Sequence, residues 1–208
     1  MALVKYNNNS ISAVTSASSI PSGALTHIKT LTASSSATLS FVDGSNDVVL
    51  DSTYPIYKFE FINMHPSSDG ANFQVNFRDG GSAYDATKTT TAFGTQHNES
   101  DSETGLAYDT SKDLAQSTGV QKLDAQGDTG ADNDQCGVGE LWLFNPSSTV
   151  FVKHFMARLN NYNSSNFSIG HFTAGYCNVT VAIDGVQFSY SSGNIDLGSI
   201  KLYGIKDS

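Results

Sequence analysis

This sequence of 208 residues has few cysteines, few prolines and few basic side chains. Cys136 and Cys177 are its only thiols, and neither has a second cysteine or a group of histidines nearby in the sequence. That spacing fits neither a zinc pattern nor a disulfide framework. We therefore predict two free, buried, structural cysteines. A chain of this length buries enough surface to hold a core without metal or disulfide staples.

Positive charge is scarce, with 11 Lys and Arg against 20 Asp and Glu and a formal net charge of −9. Nucleic-acid binding draws on cationic groups that displace counterions, so this balance argues against nucleic acid and against anionic membrane surfaces as partners. Charged residues make up only 15% of the chain, and Ser, Thr, Asn and Gly replace them. Neutral polar surfaces of this kind suit extracellular and virion proteins.

Long apolar runs are also missing. The first ten residues lack the basic stretch and apolar core of a signal peptide, and no segment approaches the roughly 20 apolar residues of a membrane span. We expect a protein made in a cytoplasm that leaves it, if at all, by lysis or assembly.

What the chain does contain is alternation of apolar and polar residues, which is typical of half-buried β-strands. Tyr57, Phe59 and Phe61 fall on one side of their segment. Bounded by turn residues, the predicted strands cover residues 11–19, 24–33, 37–42, 56–64, 71–78, 87–93, 140–144, 150–161, 167–181, 181–190 and 195–205, with a short rung at 48–50. In residues 150–161 a helical spacing competes with the strand pattern, and the flanking turns favour the strand.

Two pairings follow from proximity in sequence. Residues 181–190 and 195–205 read as a closing antiparallel hairpin, and residues 56–64 and 71–78 as an antiparallel pair with one buried face. About ten or eleven strands with at most one helix indicate an all-β fold, specifically an antiparallel jelly-roll-like β-sandwich. We predict a single domain over residues 1–208.

Residues 79–139 interrupt this regularity with a long acidic, loop-rich insertion. Within it, residues 106–116 fit either a short helix or an irregular loop. Long excursions from compact β domains are usually functional or form interfaces, so we place the specific function of the protein here.

Catalytic motifs do not emerge. The five histidines have no metal-binding spacing; His154 and His171 read as partly buried strand residues. No Gly-x-Ser-x-Gly elbow occurs. A glycosidase would need two carboxylates across a cleft, and acidic residues in the insertion, such as Glu99 and Asp109, read as solvated turn residues. We expect no enzyme.

Two sets of residues are candidate binding sites. Asp124, Asp128, Asp132 and Asp134 supply oxygen ligands on a glycine-containing loop, which would suit Ca²⁺, although their spacing fails the EF-hand pattern. Acidic turn residues without a metal are the favoured interpretation, so no cofactor is expected and a Ca²⁺ site is the alternative.

Aromatic rings form the second set. The loop tyrosines Tyr84, Tyr108 and Tyr162 are candidates for stacking on a glycan or packing at an interface. Trp142, inside an apolar run, is predicted to lie in the core of a strand covered on both faces.

Three stretches carry a resemblance: residues 5–12, residues 47–59 (DVVLDSTYPIYKF) and residues 192–205 (SGNID through KLYGI). They resemble small virion proteins of marine tailed phages, of the cyanophage and pelagiphage type. The resemblance implies a particle component located in the tail fibre, baseplate or capsid decoration, present in several copies, and it carries no enzymatic residues.

These observations lead to a functional expectation. We expect a non-enzymatic virion structural protein that forms a homo-oligomer, with a trimer favoured, and contacts other virion proteins. The alternative is a receptor-binding module that recognises host surface glycans.

Overall fold

The computed structural model describes residues 24–206, which form an all-β structure of two antiparallel sheets in a sandwich-like arrangement. Residues 24–206 contain no helix, and therefore no helix long and apolar enough to cross a membrane. The strands are β1 Leu25–Thr32, β2 Leu39–Val42, β3 Ile56–Pro66, β4 Phe73–Arg78, β5 Lys88–Asn98, β6 Thr104–Tyr108, β7 Gln121–Lys122, β8 Gly137–Phe144, β9 Lys153–Tyr162, β10 Phe167–Cys177, β11 Gly185–Tyr190 and β12 Ile195–Ile205.

The larger sheet has eight strands in the order β1-β12-β3-β8-β9-β10-β5-β6, and the smaller has four in the order β2-β11-β4-β7. All pairs are antiparallel. The prediction of an all-β, antiparallel fold is confirmed. The strand predicted at residues 11–19 lies outside the described residues.

The alternation in sequence identified the buried faces correctly. Phe59 and Phe61 of β3 and Phe188 of β11 are buried. Their rings meet edge to face across the two layers, with Phe188 at 5.4 Å from Phe59 and 5.1 Å from Phe61 between ring centroids. Such contacts contribute about 0.5–1.5 kcal/mol each beyond the apolar area they bury, so this cluster joins the sheets.

Both predicted strand pairings are wrong. Residues 185–190 (β11) and 195–205 (β12) belong to different sheets, because β11 pairs with β2 and β4 while β12 pairs with β1 and β3. The same holds for β3 and β4. In each case the connecting turn carries the chain across the sandwich, and the inward faces of consecutive strands oppose each other, as in the Phe61–Phe73 contact at 5.1 Å.

The region 79–139 holds more strand than predicted. β5 and β6 extend the larger sheet beyond the smaller one, β7 is a two-residue edge strand, and β8 already begins at Gly137. Residues 106–116 are neither helical nor wholly irregular, since their first three residues complete β6. The remaining segment, residues 109–135, covers the inner face of β10 and β5, where the Gln126 N–H donates to His171 Nδ1 at 3.2 Å.

Candidate functional site

The outer face of the larger sheet is the most extensive surface with distinctive chemistry among residues 24–206. We define the outer face as the outward-pointing residues of its eight strands. The strand register aligns them in rows that cross the sheet. One row passes from Lys201 through Glu60, Glu140, Arg158, Phe172 and Phe93 to Tyr108. A neighbouring row passes from Tyr203 through Lys58, Trp142, Met156 and Ala174 to Thr91.

At one side of this face apolar side chains are exposed to solvent. We call Phe93, Leu106, Tyr108, Met156 and Phe172 the aromatic end. Phe93 is 40% exposed, Tyr108 50%, Met156 52% and Leu106 71%. The rings of Phe93 and Phe172 are stacked, with centroids 4.9 Å apart and planes at 7°. Side chains this apolar at contiguous positions of a sheet mark an interaction surface more often than a free one.

The centre of the outer face is charged and internally neutralised. Lys58 Nζ lies 2.9 Å from carboxylate oxygens of both Glu60 and Glu140. Burial alone would lower the pKa of Lys58, but hydrogen bonds to these carboxylates outweigh it and the pKa is raised. Burial alone would raise the pKa of Glu140, but the hydrogen bond from Lys58 opposes this effect and the pKa is lowered. Lys58 and Glu140 therefore each stabilise the charged form of the other, and both glutamates hold the Lys58 ammonium in place.

Trp142 lies on this outer face and not in the core, so the prediction of a doubly covered strand is wrong. Leu141 and Leu143 of β8 are buried, whereas Trp142 and Phe144 are half-buried. No second layer formed by residues 24–206 covers this side, and the Lys58 ammonium lies 5.2 Å from the centroid of the indole ring. The apolar run therefore has one face in the core, formed by Leu141 and Leu143, and one half-buried face, formed by Trp142 and Phe144, on the outside of the sheet.

A groove of about 810 Å³ crosses the outer face between β3 and β5. Its lining includes Glu140, Arg158, Asn160, Thr95 and Phe172. The Arg158 guanidinium lies 5.4 Å from the centroid of the Phe172 ring, and within residues 24–206 it makes no salt bridge. An arginine on an aromatic ring with free N–H donors is suited to a planar anionic or polar group.

The three predicted tyrosines are not brought together. Tyr108 belongs to the aromatic end, where its hydroxyl donates to Asp113 Oδ2 at 2.6 Å. Tyr162 is at the end of β9 on the same face, and its hydroxyl donates to Asn166 Oδ1. Tyr84 is half-buried beside Arg78 and Gly185, away from this face. The sequence reasoning missed the larger surface because its residues come from separate strands and align only through the register.

The four aspartates predicted to bind calcium do not form one site either. Among residues 24–206 no group of three or more His, Cys, Asp or Glu side chains could hold a metal ion. Asp124 is fully buried, while Asp132 and Asp134 are exposed. Asp128 accepts a hydrogen bond from the Ser164 hydroxyl.

A lysine takes the position of a cation within this loop. Lys112 Nζ donates to the carbonyl oxygens of Asp124 at 2.8 Å and of Gly127 at 2.6 Å, and it lies 3.9 Å from Asp124 Oδ1. Asp124 Oδ2 accepts the Phe73 N–H at 2.8 Å. Burial raises the pKa of Asp124 to about 8, against the opposing effect of Lys112. The loop oxygens thus already bind an ammonium group that belongs to the chain.

The histidines and cysteines singled out in the sequence lie in different environments. His171, predicted to be a partly buried strand residue, is buried, and its Nε2 lies 2.9 Å from Asn161 Oδ1; His154, by contrast, is exposed on the outer face. Both cysteines are free, with Cys177 buried and Cys136 half-buried.

Comparison of the chain with protein-family models, with curated proteins and with solved structures finds no match. The functional argument therefore depends on the geometry described above and on the sequence resemblance.

Proposed function

We propose that this chain is a non-catalytic structural protein of a tailed-phage particle, present in the virion as a homo-oligomer, with a trimer favoured, and in contact with other virion proteins. The observation that carries the proposal is the outer face of the larger sheet, which presents exposed apolar side chains at contiguous positions. Such a face acts through contact with another surface. The resemblance to virion proteins of marine phages supplies the context: tail fibre, baseplate or capsid decoration.

The strand order supports a jelly roll as the form of this sandwich. In a jelly roll, nested strand pairs alternate between two four-stranded sheets. Here β1 pairs with β12 and β3 with β8 in one sheet, while β2 pairs with β11 and β4 with β7 in the other. The hairpin β9–β10 and the pair β5–β6 then extend one sheet. Jelly rolls are common among capsid proteins and lectins.

The test is localisation on the particle. Phage particles purified by density gradient should contain the chain by mass spectrometry, and cryo-electron microscopy should show density that fits the two-sheet fold at a repeated position. Absence of the chain from purified, infectious particles would contradict the proposal.

A second candidate function is recognition of host surface glycans, and the groove with Arg158 favours it. Phe172 provides an aromatic face, and Arg158, Asn160 and Thr95 provide polar groups around it. In this case the purified protein should bind isolated host envelope polysaccharide. Arg158→Met should abolish the binding, and Lys201→Met, on the same face outside the groove, should leave it intact. No binding by the wild-type protein would remove this candidate.

A further inference from the structure

We propose that the outer face of the larger sheet is an interface between copies of this chain, with the aromatic end nearest the symmetry axis. The inference rests on the proposed function and specifies which surface makes the homo-oligomer. Three properties of the face argue for a second copy as the occupant: its charge, its area and the position of its apolar residues.

The charge of the face differs from that of the whole chain. Two copies that each carry a net charge of −9 repel each other, so they associate most easily through surfaces that are not negative. The outward-pointing strand positions of the outer face hold three cations, Lys58, Arg158 and Lys201, against two carboxylates, Glu60 and Glu140. The strand positions of this face are thus slightly positive, unlike the chain as a whole, and the Asp113 carboxylate bonded to Tyr108 is the negative group beside the aromatic end.

The area of the face matches a stable contact. Eight strands at about 4.8 Å spacing span roughly 34 Å, and four rows of side chains span roughly 25 Å, which gives on the order of 800 Å². A standard protein–protein interface buries about 800 Å² on each partner. The face is thus large enough to serve as one side of such an interface.

The apolar residues are placed for self-association. In a cyclic assembly, the residues nearest the symmetry axis meet their own counterparts. The aromatic end lies at one side of the face, with Phe93 and Phe172 stacked and Tyr108 opposite Phe93 on the edge strand. When this side is turned toward the axis, rings pack on rings, and the charged centre remains at the periphery of the contact.

The experiment measures the molar mass of the full chain by light scattering after gel filtration. We expect the wild type to have a multiple of its 22.1 kDa chain mass. Phe93→Asp and Met156→Asp should weaken association at least tenfold. Phe151→Asp is the control matched in charge: Phe151 is 70% exposed but lies in the β8–β9 loop, outside the face, and this variant should associate like the wild type.

Circular dichroism and melting temperature establish that the variants are folded. If the aspartate variants fail to fold, Phe93→Thr replaces them, because threonine occupies the neighbouring outward positions Thr91 and Thr95. A monomeric wild type, or face variants that associate as tightly as Phe151→Asp, would overturn the interface. A dimer that the face variants dissociate would support the interface while contradicting the trimer, and only the absence of the chain from particles bears on the virion assignment itself.

Discussion

Three polar side chains fix the segment 109–135 within itself and to both sheets. Lys112 binds two loop carbonyls, Asp124 accepts the Phe73 N–H, and His171 accepts the Gln126 N–H. Because such groups lose their hydration on burial, each depends on its partner. The residue types were visible in the sequence, but their partners come from distant positions, so the binding of Lys112 within the acidic loop was not predicted.

We predict that Lys112→Met lowers the free energy of unfolding by about 2–6 kcal/mol, since each buried hydrogen-bonding group left unpaired costs about 1–3 kcal/mol. The substitution leaves the main-chain carbonyl oxygens of Asp124 and Gly127 without their donor. Denaturant unfolding followed by tryptophan fluorescence measures the loss.

Asp124→Asn is the matched control, since the amide oxygen still accepts the Phe73 N–H. Because burial raises the pKa of Asp124 to about 8, its carboxyl group is mostly protonated at pH 7, and Asp124→Asn should cost much less than Lys112→Met. Equal losses in the two variants would contradict the assignment of the cost to the two carbonyl oxygens.

We predict that His171 makes the protein sensitive to acid. Burial lowers the pKa of His171 from 6.5 to about 3, and the Lys112 ammonium acts in the same direction. The unfolded chain therefore binds more protons than the native state between these values. Stability is fully present above pH 6.5 and falls as pH decreases toward 3, by up to about 1.4 kcal/mol per unit from this group.

The measurement is the denaturation midpoint between pH 7 and pH 4 for the wild type and His171→Gln. The variant should start lower but lose stability less steeply with acid. His154→Gln, which changes an exposed imidazole on the outer face, serves as the control. Equal slopes for wild type and His171→Gln would contradict the prediction.

At the scale of the elements, β12 depends on a close approach between its backbone and the segment before β3. A Cβ atom at Gly204 would lie 2.4 Å from atoms of the Tyr54 ring. We predict that Gly204→Ala destabilises the protein by about 1–3 kcal/mol through overpacking. Thermal unfolding measures this.

Gly105→Ala is the control for the same substitution within a strand. Its Cβ would meet the flexible Gln96 side chain at 3.3 Å or more, on the edge strand β6. We expect a change within about 0.5 kcal/mol, as for ordinary surface substitutions. Similar losses at both glycines would contradict the assignment of the cost at Gly204 to the Tyr54 contact.

The strands show how much of the fold could be predicted from the sequence. Alternation reports which side chains share a face, and Phe59, Phe61 and Phe188 are indeed buried. It does not report which strand lies beside which, because a turn between two strands can either fold back within a sheet or cross to the other one. β6 was missed since four of its five residues are exposed and show no alternation.

At the scale of the whole molecule, net charge and the outer face act in opposite directions on assembly. Each copy carries −9, and this long-range repulsion extends over a Debye length of about 30 Å at 0.01 M salt but only about 10 Å at 0.1 M. Burial of apolar side chains at the aromatic end is not screened. Salt should therefore weaken the charge repulsion between copies and leave the apolar contribution to association unchanged.

We predict that self-association tightens as sodium chloride rises from about 0.01 M to about 0.5 M, where the screening length is only a few ångströms. Sedimentation velocity at fixed protein concentration measures the shift from monomer to oligomer, and Phe93→Asp should stay dissociated at both concentrations. An interface held mainly by ion pairs between copies, such as Lys58 of one copy with Glu60 of another, would weaken as salt rises, because salt weakens exposed ion pairs. Dissociation on adding salt would therefore assign the contact to the charged centre of the outer face and contradict the role of its aromatic end.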